Sequence, residues 1–172
     1  MTTAMPGDYA QPPQQYQQST AVIRSVGKCF LLLLVSFGLW GFAWLYHTTK
    51  EVSSKVNNPA PNPTTRTLLY IIPIVNLVMI YLAWQDIENY AKAARSESFS
   101  TVLWFLLTIF IPFVGLYSYP MIQSRMNDAH RAATNGQATE APLGTLDKVL
   151  VGVGALIWLF YILIIIIAIA AS

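Results

Sequence analysis

Four long apolar stretches dominate the chain: Cys29 to Tyr46, Thr67 to Trp84, Thr101 to Tyr119 and Val149 to Ala170, none with an acidic or basic residue inside it. At a rise of 1.5 Å per residue, the first three, about 18 or 19 residues each, just cross a hydrocarbon core of roughly 30 Å, and the fourth, about 22, has length to spare. The pattern predicts an all-α, polytopic helical membrane protein with about four transmembrane helices. Beyond the first two runs, Glu51 with Lys55 and Glu88 with Lys92 stand one helical turn apart, in the order that favours an exposed ion pair. These tails are expected to continue the helices out of the lipid.

The polar intervals set the remaining boundaries. Residues 1–20, with Asp8-Tyr9-Ala10-Gln11-Pro12-Pro13-Gln14-Gln15-Tyr16, offer almost no aliphatic surface against the entropy of ordering and are expected to be a disordered Pro/Gln-rich tail. Residues 21–134 read as a membrane helical region of three units, 135–146 as a small polar linker, and 147–172 as a C-terminal transmembrane helix. Within the middle region, Ile72-Pro73-Ile74-Val75-Asn76-Leu77 matches Ile111-Pro112-Phe113-Val114-Gly115-Leu116 at four of six positions, and Phe37-Gly38-Leu39-Trp40-Gly41-Phe42 follows the same scheme. The spacing defines units of about 35 to 39 residues.

Each unit carries a helix breaker at the middle of its apolar run. Pro73 and Pro112 remove a backbone donor and crowd the preceding turn, and Gly38 loosens it. Together with Gly41, Asn76 and Gly115 they form a helix-break motif of structural rather than chemical kind. Carbonyls freed in lipid must find other donors, so two topologies follow. With four spans, which is the expectation, Arg24, Lys28, Lys92 and Arg95 lie on one side and Lys50, Lys55, Arg66, Arg125, Arg131 and Lys148 on the other, a weak asymmetry. Trp84 and Trp104 would then share one interface, and Trp44, Tyr46, Tyr70, Tyr117 and Tyr119 the other. If the first three runs instead fold back as re-entrant hairpins, all ten basic residues share one side.

Composition agrees with a membrane protein: 55% of residues are hydrophobic and 10% charged, with a mean hydropathy of +0.48. A formal charge of +2 spread over the polar segments leaves no basic stripe for nucleic acid. No ionisable residue lies within an apolar run, where an ion-coupled pump or intramembrane enzyme would place one. Ser36, Asn76, Thr108 and Ser118 are expected to hydrogen-bond between helices, and Gly152, Gly154 and Ala155 to let the last helix pack closely. His47 and His130 fall at helix ends and read as surface polarity. Asp86 and Glu88 point to different faces, and Asn127-Asp128-Ala129-His130-Arg131 lacks a neighbouring nucleophile. Cys29 reads as a small apolar residue. No catalytic, metal or cofactor site is expected.

Ser36-Phe37-Gly38-Leu39-Trp40-Gly41-Phe42-Ala43-Trp44-Leu45-Tyr46, running on into Thr48-Thr49-Lys50-Glu51-Val52, resembles the bacterial membrane family catalogued as domain of unknown function 4234. That family carries a Thr-Phe-Gly-Ile-Tyr-Gly core, where this chain has Ser36, Leu39 and Trp40 in place of the threonine, isoleucine and tyrosine. The resemblance covers about residues 22 to 95 and implies a multi-helix bundle, multi-pass in the bacterial cytoplasmic membrane; it supplies no site residues. The sequence thus points to a non-catalytic interaction or accessory subunit, whose partners are the lipid bilayer and either another membrane protein or further copies of itself. A small oligomeric channel or transporter, lined by the broken helices, is the alternative.

Overall fold

The computed structural model describes residues 21–111 and 113–171 and is mostly helical. Residues 1–20, including the expected disordered tail, lie outside the described residues, as do Pro112 and Ser172. In chain order the elements are β1 (Val22–Ile23), α1 (Val26–Val35), α2 (Trp40–Thr48), a π-helical turn (Thr49–Ser53), α3 (Ser54–Val56), α4 (Pro63–Leu69), α5 (Pro73–Ala93), α6 (Thr101–Phe110), α7 (Val114–Ala133), β2 (Thr139–Glu140) and α8 (Thr145–Ala170).

The first three apolar runs are each divided in two at their breaker. After α1 the chain closes a Schellman turn: Gly38 N donates to Leu33 O at 2.7 Å and Phe37 N to Leu34 O at 3.1 Å. Phe37 takes the left-handed conformation at φ 54°, and Gly38 follows at φ 83°, where a side chain would be strained. In the second run Ile72 is extended, as a residue before proline must be, and Pro73 takes the first helical position of α5. Asn76 folds back there, its side chain donating to Tyr70 O at 3.0 Å. The third run repeats the device, with Ile111 extended ahead of Pro112 and Phe113 left-handed at φ 71°. Gly41 and Gly115 are not themselves breaks. Gly41 lies in α2, where any Cβ would press on the Tyr70 hydroxyl, and Gly115 lies in the first turn of α7 beside Thr108.

Contacts at the far ends show that each broken run doubles back. Arg24, ahead of α1, pairs with Glu51 beyond α2; Arg66 of α4 reaches Asp86 of α5; Glu97, ahead of α6, pairs with Arg125 of α7. The arms α1–α2, α4–α5 and α6–α7 are therefore three helical hairpins. Tyr90 of α5 meets His130 of α7, and Trp44 of α2 meets Gln123 of α7. Hence α2, α5 and α7 descend in parallel, and all three tips point the same way. Among the described residues, only α8 is both long and apolar enough to cross a membrane. The expectation of four spanning helices is thus not confirmed, since α8 alone among the described helices has the length and composition for a span.

The hairpins divide the molecule into two halves. At the base, Trp44, Ala83, Trp84, Ile87, Ile122, Met126 and Ala129 are buried together. Trp44 and Trp84 each pack edge-on against Tyr119, with centroids 5.4 and 5.8 Å apart. Trp44, Trp84 and Tyr119, expected in two opposed interfacial belts, thus meet in one core. At the tips the pattern inverts: Ile74 is 80%, Phe110 76% and Phe113 83% exposed, among many other bare apolar side chains.

Helix α8 starts at the base and leans on the first hairpin. Gly154 is the contact point, because a Cβ there would overlap the Ser36 backbone. Further along, Trp158 Nε1 donates to Leu34 O at 3.1 Å, and Phe37 packs on the rings of Trp158 and Tyr161. Within the segment read as a small polar linker, 135–146, β2 pairs in parallel with β1, Val22 opposite Thr139 and Ile23 opposite Glu140.

Candidate functional site

The charged side chains gather at the base, where Asp86 and Asp147 are buried and Arg24, Glu51, Lys55 and Arg66 are half-buried. The helical tails expected to continue out of the lipid pack against one another there. The π-helical turn after α2 inserts an extra residue into the helix and presents Glu51 toward Arg24, whose guanidinium binds both carboxylate oxygens at 2.6 and 2.7 Å. Glu51 is thus taken by Arg24, not by Lys55. Lys55 Nζ lies 5.2 Å from the centroid of the Tyr90 ring, a cation–π arrangement.

From Arg24 the network runs into α7. Asn127 pairs with the Arg24 backbone in both directions, accepting from its N at 3.1 Å and donating to its O at 2.7 Å. Gln123 donates to Asn127 at 2.9 Å and accepts from Trp44 Nε1 at 2.8 Å. One turn of α7 further on, the fully buried His130 meets the Tyr90 hydroxyl through Nδ1 at 3.1 Å. Gln123, Asn127 and His130 stand at helical spacing on one face, whereas Asp128 and Arg131 pair with each other on the outside. The Asn127–Arg131 cluster is therefore split by its own helix.

Two further nodes join the hairpins. Asp86 accepts from Arg66 at 2.6 Å and from Asn57 at 2.9 Å, and Arg66 also donates to Ser53 Oγ at 2.8 Å. Glu88 accepts from Lys92 at 2.5 Å, the pair legible in the sequence, and its other oxygen caps α6 at Thr101 N, 2.8 Å. Asp147 joins α8 to the first hairpin: it caps its own helix at Gly144 N and accepts from Trp40 Nε1, both at 2.8 Å. His47 Nε2 lies 3.5 Å from the same carboxylate.

Neither histidine is surface polarity. Burial lowers the His130 pKa to about 4, reinforced by the positive charge of Lys55, so the ring is neutral near neutral pH. Burial and the nearby Arg24 likewise lower that of His47.

Chemically this layer is built from ion pairs, Arg24–Glu51, Arg66–Asp86 and Lys92–Glu88, and from the Asp147 carboxylate held by Trp40 and Gly144. Among the described residues, no three His, Cys, Asp or Glu side chains come together as a metal would need. Two cavities that border it, about 10 Å³ beside Cys29 and Gln123 and about 20 Å³ beside Arg24 and Asp147, have room for no more than a water each. The polar residues of the apolar runs are also engaged in structure. Ser36 Oγ accepts from Trp40 N at 2.8 Å, and Thr108 donates to Ser118 at 3.0 Å between the arms of the third hairpin.

Sequence reasoning missed Arg24, Arg66, Asp86, Gln123, Asn127 and Asp147 as members of one polar layer at the base. Part of the signal was there. A polar stripe at Gln123, Asn127 and His130 shares its helix with Ile122 and Met126, which marks a buried polar face rather than a solvated one. No family model, curated protein or solved structure matches this chain.

Proposed function

We propose that this chain is a non-catalytic integral membrane protein that inserts three re-entrant helical hairpins and one spanning helix from a single side, and holds a folded polar layer against that membrane face. The observation that carries this reading is the segregation of charge. All ten basic residues, and the acidic residues of the described part, lie at the base, while bare apolar side chains clothe the tips and α8. Water would penalise that apolar surface heavily, and a bilayer would not.

A buried hairpin tip must satisfy its own backbone. Here the Schellman turn, the Asn76 side chain, Ser36 Oγ and Trp158 Nε1 supply partners within the protein. With every Lys and Arg on one side, the positive-inside rule puts the base in the cytoplasm. The polar layer suits an interaction or accessory role, because among the described residues no reactive group faces an open cleft, and the tightly filled aromatic core gives little support to a path through the monomer. The same apolar arms leave room for another membrane protein or a second copy beside them.

Cysteine accessibility tests the topology. In a Cys29→Ser background, single cysteines at the exposed Ala60, Ala93, Gln137 and Ala171 are treated with a membrane-impermeant thiol reagent. The proposal expects the first three to label from one side and Ala171→Cys from the other. Labelling of Ala93→Cys from the side opposite Ala60→Cys and Gln137→Cys would establish four spans instead.

A further inference from the structure

The depth of the hairpins relative to α8 carries a consequence for the membrane itself. Taking Val149 as the start of the apolar part of α8, Trp158 and Tyr161 lie about 14 and 18 Å along it, close to the midplane of a core of roughly 30 Å. Phe37, at the tip of the first hairpin, packs on these two residues. The ascending arms α1 and α6 have 10 residues each, about 15 Å, again half of that core. Beyond Tyr161, α8 runs on through Ile162–Ala170 for a further ~14 Å, and these side chains are exposed.

The cross-section is therefore unequal. Among the described residues, the six hairpin arms and α8 share the half on the side of the polar layer, and α8 carries on into the other half. With a helix diameter of about 10 Å, each extra arm occupies on the order of 80 Å², so the six hairpin arms add about 500 Å² to one leaflet alone. The polar layer clamps their bases, through Glu51–Arg24–Asn127, Arg66–Asp86–Asn57 and Glu88–Thr101, and opposes splaying of the hairpins into separate sites.

We infer that the protein is a one-leaflet wedge: it favours and stabilises bilayers that are convex on the face bearing its polar layer, so the ligand it selects is a curved lipid surface. This rests on the membrane-inserted hairpin reading above. A flat or oppositely curved leaflet would have to compress its lipids around the arms, and insertion of this kind is curvature-sensitive on general grounds.

The test uses the full chain reconstituted in giant vesicles. Gln137→Cys in the Cys29→Ser background is labelled with an impermeant fluorophore after reconstitution, so that only molecules with the polar layer outward are seen, and a narrow membrane tube is then pulled from the vesicle. The expected result is enrichment of the dye on the tube, relative to a fluorescent lipid, by about twofold or more. Ala60→Cys and Ala93→Cys are labelled in parallel vesicles. Equal density on tube and vesicle, with all three sites labelling from one side, overturns the wedge and leaves the hairpin topology standing. Labelling of Ala93→Cys from the opposite side overturns both.

Discussion

Single residues decide how tightly the halves are joined. Gly154 permits α8 to touch the Ser36 backbone, and no neighbouring side chain can give way in its place. Gly154→Leu should force α8 off the first hairpin and cost about 1–3 kcal/mol, the usual penalty of overpacking. A fall in the melting temperature of detergent-purified protein would register it, whereas Gly152→Ala, in open space inside the same helix, should hold that temperature or raise it slightly. His130 gives a pH signature. Its folded pKa, about 4, lies below the ordinary value of 6.5, so neutral His130 contributes stability that is present above pH 6.5 and is lost as pH falls toward 4. The melting temperature should therefore drop on acidification across that window, and His130→Gln should flatten the drop. A profile identical in the two proteins would show that another group sets it; His47, lowered in the same direction, is the next to replace.

At the scale of elements, the hairpins depend on pairs that look alike in the sequence and differ in burial. Arg66 and Asp86 are nearly buried and share Asn57 and Ser53, while Lys92 is largely exposed beside Glu88. Arg66→Met should cost about 3–5 kcal/mol by leaving the Asp86 carboxylate buried and uncompensated, and Lys92→Met less than about 1 kcal/mol. Denaturant titrations of the two variants in the same detergent would compare them. The breaks themselves were legible: Gly38, Pro73 and Pro112 marked the middle of each run, and Asn76 proved to be the residue that satisfies a freed carbonyl. What could not be read was whether a break meant a kink or a reversal, because proline and glycine remove helical constraint without fixing the direction in which the chain leaves.

For the whole molecule, exposure of the tips separates a protein in lipid from one in water. Ile74 is 80% exposed, so in water Ile74→Lys would be nearly silent. In the proposed bilayer setting the charge lies deep in the apolar core and should cost about 2.5–3.5 kcal/mol. The amount of protein recovered in the membrane fraction should fall accordingly, and unchanged recovery would argue against burial of the second tip in lipid.

By itself the sequence determined that the chain is helical, where its helices break and that its apolar runs carry no charge, since these follow from local composition and from the backbone limits of proline and glycine. Only the tertiary structure decided that the breaks are reversals, that His130, Asn127 and Asp147 turn inward, and that Trp44, Trp84 and Tyr119 meet in one core rather than in two belts. Each of these depends on which surfaces come to face each other. Arg24 lies 103 residues from Asn127, and Trp40 107 from Asp147, and no local pattern encodes such a pairing until the three hairpins are laid side by side.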